Sequence, residues 1–488
     1  MGTIYHIDAY TNSIINTLYF APHELYSASI YGHYGLFYII PCKLLRILGL
    51  NEWLAVAAAI AITGGICFAL GYWTLHKMVR SDTVYYLSVL ACTVVSTEIF
   101  WGQYFQMLPH RLLFQTVMMA CFLKIYTEQD KHRRHVFMAI GWLASACAIL
   151  WNIEIGAVCA LVWTIGIAFL ESQERGKWSL IVIIKNIAFL AGAFFLAYGI
   201  VNLYNIAVGG KGISVSTFIY PIGSKSYVIE KLYLPLMNSW GPYFAVIASF
   251  LVVLGYYFMD FLHLRLSIRQ LMMLLAAIMG YGVYTYYINR PVEGTNASIC
   301  IFPLVFVLTV LCDNYFGDSD GSLHGILRKP AQSGTSLFAL TILVSMALAS
   351  VSTFGKTLSE KISTTYDETL FKETKSELLE KIPEGTVAFG TATAQLFAYA
   401  NMDTGLYFAD WEDLVDLSKK MSENGIVNPD AEKFLVQSLI DGNYEYILVY
   451  SEPSQERYLL DKYEEIDSIE YNSMCWKLYR KTLEGTTS

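Results

Sequence analysis

The chain has 488 residues, 55% of them hydrophobic and only 15% charged, with a mean hydropathy of +0.43. A soluble protein of this length does not carry so much apolar surface, so the composition selects a membrane protein. The net charge of -8 averages two unlike parts, because residues 355–488 hold 13 Lys and Arg against 25 Asp and Glu while the rest holds 20 against 16, and so acidic a tail excludes nucleic acid as a partner.

The first 30 residues contain no Lys or Arg and no long apolar core, so they are not a cleavable signal peptide. Asp8 lies there among Tyr5, His6 and Tyr10, just before a helical stretch that it is placed to cap. His33 follows in YGHYGLFY, where Gly32 and Gly35 call for a tight backbone. The stretch Tyr34–Gly49 is apolar but carries Pro41, Lys43 and Arg46. Such a pattern predicts an amphipathic helix lying on the outer leaflet rather than a span.

Apolar runs able to cross a bilayer follow near 53–73, 83–101, 109–126, 136–151, 155–170, 182–203, 241–259, 270–288, 297–313 and 336–353. The fourth and fifth together are too long for one crossing at ~1.5 Å per residue, and the polar Asn152 and Glu154 mark the hairpin turn between them. Sorted by alternating sides, the loops place twelve Lys and Arg on one face, including Lys77, Arg80, Lys131, Arg134, Arg265 and Arg269, and seven on the other. The richer face is expected to be cytoplasmic. The N-terminal segment, the polar motifs and the acidic tail then lie together outside the cytoplasm, which implies a first helix upstream of Met1. In the tail, apolar runs at Thr386–Phe389, Tyr444–Tyr450 and Met474–Tyr479 alternate with helical stretches near 392–400, 431–440 and 455–463. That alternation predicts a small α/β domain. The expected domains are thus an external first loop over 1–52, a transmembrane body over 53–354 and an extracytoplasmic domain over 355–488. Nine cysteines form no CxxC pair and no zinc-spaced cluster, so neither a disulfide framework nor a structural metal is expected.

The polar segments IDAYTNSIINTL, YGHYGLFY, YFQMLPHRLLF, WNIEIG and YYINRP, in this order and on one side, resemble the GT-C glycosyltransferases, of the mannosyl-, aminoarabinosyl- and oligosaccharyltransferase type. The resemblance covers about residues 5–353 and implies an all-α polytopic membrane domain of about ten helices with an external surface helix. It also implies an inverting enzyme of a bacterial-type plasma membrane, acting on a polyprenyl-phosphate-linked sugar donor and an extracytoplasmic acceptor. Asp8 then takes the place of the general base, while Arg290 in YYINRP grips the donor phosphate, with Tyr287 and Asn289 beside it. His33, His110, Arg111 and Glu154 are candidate donor, acceptor or phosphate contacts. Each also has a plain reading: His33 as a structural histidine, Arg290 and Arg111 as interfacial arginines, Glu154 as a paired helix-end acid. The loop before Arg111 holds Gln103 and Gln106 but no Asp, so no divalent-metal cofactor is expected. The rival readings are a flippase or polymerase of polyprenyl-linked saccharides and a non-catalytic membrane anchor for the tail.

Overall fold

The computed structural model describes residues 44–45, 47–50, 52–101, 110–207, 210, 212–216, 218–219, 242–289, 299–316, 330–363, 380–383, 386–389, 444–450, 463–471 and 474–482. Among the described residues ten long helices follow one another: α1 (Glu52–Met78), α2 (Asp82–Trp101), α3 (His110–Thr127), α4 (Lys131–Trp151), α5 (Ile153–Glu174), α6 (Leu180–Ala207), α7 (Pro242–Leu262), α8 (Ile268–Asn289), α9 (Ile301–Phe316) and α10 (Pro330–Ser363). They correspond one to one with the ten apolar runs. Five of them, α4, α5, α6, α7 and α10, contain stretches long and apolar enough to cross a membrane by themselves, and α8 and α9 hold shorter apolar stretches. Ile181, Ile184, Phe195 and Leu203 of α6 are exposed. Only lipid accommodates so continuous an apolar face, and the chain is a membrane protein.

The chain divides into two compact units. The first, residues 58–200 and 221–363, is the helical body. Its central helix is α5, 72% of whose apolar window is buried, against 22% for α6. Inside a bilayer the hydrophobic effect does not draw helices together, so close packing and polar contacts must do so. The α4–α5 hairpin shows both. Asn152 ends α4 and starts α5: its N–H donates to the Ala148 carbonyl at 3.1 Å, and its Oδ1 accepts from Ile155 N at 3.0 Å. One residue in an extended conformation (φ -159°) therefore reverses the chain. The helices then run so close that a Cβ at Gly156 would enter the backbone of Ala148, and one at Gly141 would enter the indole of Trp163. Arg134 at the start of α4 closes the far end on Glu174 at the end of α5.

That far end is strongly basic and cross-braced. Asp313, fully buried near the end of α9, accepts from the backbone N–H groups of Arg80 (3.0 Å) and Ser81 (2.8 Å) in the α1–α2 turn and from the Arg269 guanidinium at the start of α8. Gln173 donates to the carbonyls of Leu264 and Leu266, both at 3.1 Å, and so holds the α7–α8 turn in which Leu264 adopts φ +59°. Trp178 Nε1 reaches the Leu262 carbonyl at 2.8 Å. Midway along the helices Ser88 and Thr309 share a hydrogen bond of 2.6 Å between α2 and α9, and Ser350 ties α10 to the Leu90 carbonyl of α2 at 2.6 Å.

The second unit combines residues 1–57, 201–220 and 364–488. Residues 44–45 and 47–48 lie in helical turns whose Leu44, Ile47 and Leu48 are exposed, and Gly49 ends them in the left-handed region at φ +91°. The rest of the expected surface helix lies outside the described residues. The tail contains a four-stranded sheet of order β1-β2-β4-β3, formed by β1 (Val387–Phe389), β2 (Tyr446–Tyr450), β3 (Tyr463–Tyr471) and β4 (Met474–Lys481). β1 is parallel to β2, and the other pairs are antiparallel. Consecutive residues Ile447 and Leu448 are both fully buried, so β2 is covered on two faces. β3 answers β4 with charge: Glu464 pairs with Arg480, and Glu465 with Lys477 at 3.0 Å. The runs expected as strands are β1, β2 and β4. β3 was not foreseen; the expected 455–463 helix ends where this strand begins, at Tyr463, and residues 455–462 lie outside the described residues. So do the expected helices at 392–400 and 431–440.

Substituting Gly156 by Val should destabilise the body by about 3 kcal/mol, because the added atoms meet backbone rather than a movable side chain. Gly192→Val, on α6 with open space around it, should stay within about 0.5 kcal/mol. Thermal unfolding of the purified protein in detergent checks both.

Candidate active site

The end of the body opposite the basic face carries the described parts of two of the sequence motifs, the start of α3 and the α4–α5 turn. α3 begins with His110 and Arg111, and α5 begins one residue after Asn152 with Glu154 in its first turn. The hairpin turn at Asn152 is what brings the α5 start beside the α3 start. There Arg111 Nη2 stands 3.9 Å from Glu154 Oε2, with the Arg111 side chain fully buried and that of Glu154 12% exposed. Of the residues named from sequence, these two are brought together. At 3.9 Å the contact is an ion pair without a hydrogen bond between those atoms.

The surroundings of the pair are partly polar. Trp151, the last residue of α4, packs edge-on against Phe114 of α3 at 5.8 Å. Gln115, one turn into α3, donates from Nε2 to the carbonyls of Arg111 (2.9 Å) and Ile299 (3.0 Å). Cys300 Sγ, the next residue, lies 3.5 Å from the Gly280 carbonyl of α8. Gly282 of α8 sits against Val158 of α5, one turn beyond Glu154, so α8 continues from there through Tyr284, Tyr287 and Asn289 toward the same end. Tyr284 is buried. Among the described residues the Glu154 Oε2, Asn152 Nδ2 and Gln115 Oε1 atoms are buried without a hydrogen-bond partner. A cavity of about 20 Å³, bounded by Gln115, Thr74, Thr116, Phe302 and Phe306 among others, lies directly below. It has room for about one water molecule.

Asp8, His33 and Arg290 lie outside the described residues. His110 is the first residue of α3, and Tyr287 and Asn289 are in the last turn of α8. Gln115 and Asn152 are members of this cluster that the motif reading did not rank as site residues. Gln115 falls inside an apolar run, where an amide reads as a minor interruption; a polar group that lipid penalises so heavily was the available signal.

A polytopic α-helical membrane body with a small mixed sheet in the chain's tail is the architecture expected from the sequence. The structure of ArnT from Cupriavidus metallidurans bound to undecaprenyl phosphate has this fold too, with a TM-score of 0.51 and 12% identity over 98% of this chain and 93% of that one. The apo ArnT structure from the same organism compares at a TM-score of 0.47 and 12% identity. No protein-family model and no curated protein matches the sequence.

Removing both members of the buried pair should cost less than the sum of removing each alone, since in each single variant the survivor keeps an uncompensated charge. Glu154→Gln or Arg111→Met alone should each destabilise by about 3 kcal/mol. The double variant should recover at least about 1 kcal/mol of the summed loss. A double-mutant cycle by thermal unfolding in detergent measures the coupling.

Proposed function

We propose that this chain is a membrane glycosyltransferase that moves a sugar from a polyprenyl-phosphate-linked donor to an extracytoplasmic acceptor with inversion at the anomeric carbon. The observation that carries the reading is the buried Arg111–Glu154 pair at the motif-bearing end of a GT-C-like helical body. Charged groups at membrane depth are costly, and a pair kept there is more readily explained by a task than by stability. The solved structure with the same fold holds undecaprenyl phosphate, which supports a polyprenyl-phosphate lipid as the donor's leaving group.

In this reading the acceptor hydroxyl oxygen forms a bond to the anomeric carbon while the bond from that carbon to the lipid phosphate oxygen breaks. The hydroxyl proton passes to the Asp8 carboxylate, and the bonding electrons leave on the phosphate. Arg290 supplies the forked guanidinium that meets the growing phosphate charge. Arg111, paired with Glu154, supplies a second positive group, and His33, His110, Tyr287 and Asn289 are assigned to donor and acceptor contacts. The positive-inside rule places the basic end, braced by Asp313, in the cytoplasm and the site outside it. Amides and arginines are poor ligands for a divalent cation, so transfer is expected to proceed without one.

Membranes expressing the chain should transfer labelled sugar from at least one polyprenyl-phosphate sugar. Asp8→Asn should lower the rate about 10³-fold while donor still binds, as loss of a general base does. Arg290→Ala should lower it about 10²-fold. Unchanged rates in both variants would refute the assignment, and no transfer from any donor would favour a flippase or polymerase. In the same assay, EDTA should leave the wild-type rate within about twofold; a loss restored by Mg²⁺ or Mn²⁺ would contradict metal-free transfer.

A further inference from the structure

We propose that Gln115 is a positioning residue for this site, fixing the first turn of α3, and with it Arg111, against the entry of α9. The proposal rests on the glycosyltransferase reading for its kinetic consequence but not for its geometry. Gln115 is 1% exposed, and its Nε2 carries two donors that both reach backbone carbonyls, that of Arg111 four positions before it and that of Ile299 184 positions after it. The Arg111 carbonyl lies in the first turn of α3 and the Ile299 carbonyl just ahead of α9. A single amide thus spans two helix beginnings from within the apolar body. The contact continues one residue further, where Cys300 reaches the Gly280 carbonyl and so links the α9 entry to α8. α8 is the helix whose last turn bears Tyr287 and Asn289.

A purely structural amide in lipid needs only to satisfy itself, which the i-4 carbonyl of its own helix does for one donor. The second donor goes to another helix, and the Oε1 atom is left beside the small cavity with no partner among the described residues. An apolar side chain of the same length would avoid that cost. Gln115 therefore gives up some stability to hold relative position, which is how supporting residues behave around a site that must be held to a fraction of an ångström.

The native Cys300, fully buried beside Ile299, reports on the tether without any enzyme assay. In full-length protein in detergent or vesicles, alkylation of each cysteine by N-ethylmaleimide is followed by mass spectrometry. Gln115→Met keeps size and shape but has no donor. It should speed Cys300 alkylation by about five- to tenfold, the opening expected when a buried hydrogen bond is lost, while Cys92 and Cys159 keep their rates. With an active donor it should raise the donor KM about tenfold and leave kcat within about twofold, because Arg111 is displaced rather than removed. Gln115→Glu, neutral in this apolar setting, retains one O–H donor and should recover part of the KM. Thr116→Val removes a neighbouring hydroxyl but not the tether, and should leave both readouts unchanged. Unchanged Cys300 alkylation in Gln115→Met overturns the proposal, as does faster alkylation of all buried cysteines together. A faster Cys300 with unaltered kinetics also overturns it, by leaving Gln115 only structural. Inactivity of the wild type with every donor instead removes the glycosyltransferase reading, and the Cys300 rates still decide the tether.

Discussion

The rest of the site depends on the turn at Asn152. One residue closes α4 with its backbone N–H and opens α5 with its side chain, so the chain reverses without a loop. In lipid a longer connection would expose backbone groups that nothing satisfies. The short turn also forces the two helices into the contact that requires glycine at positions 141 and 156. Because α5 is central, its first turn is carried to the start of α3, and Glu154 meets Arg111 there. A different turn would rotate Glu154 by about 100° per residue around the helix and dissolve the pair.

The two ends of the body are held by different contacts. At the basic end directed side-chain bonds brace the turns: Asp313 takes two backbone donors and a guanidinium, and Gln173 spans two carbonyls of one turn. At the other end buried atoms of Glu154, Asn152 and Gln115 remain without hydrogen-bond partners among the described residues, and the ion pair is held at 3.9 Å. Unmet hydrogen-bonding capacity in an apolar setting is a standing cost that a polar ligand can relieve.

The helical body was legible because lipid imposes a simple rule: runs of apolar residues near span length become helices, and no competing structure satisfies the backbone. Even the break at Asn152 could be read, from a run too long for one crossing. The sheet was half legible. β2 and β4 are apolar runs, but β3 reads YEEIDSIEY, and a register shift between Glu465 and Asp467 interrupts the alternation that marks a strand. Its pairing depends on Arg480 and Lys477 of β4, which no local pattern announces. Within the site, Arg111 and Glu154 stood out as charges at span ends, yet their partnership did not, since 43 positions separate them and only the fold of three helices closes the gap. Gln115 was hidden for a related reason: its two acceptors are backbone carbonyls, which leave no trace in residue identity.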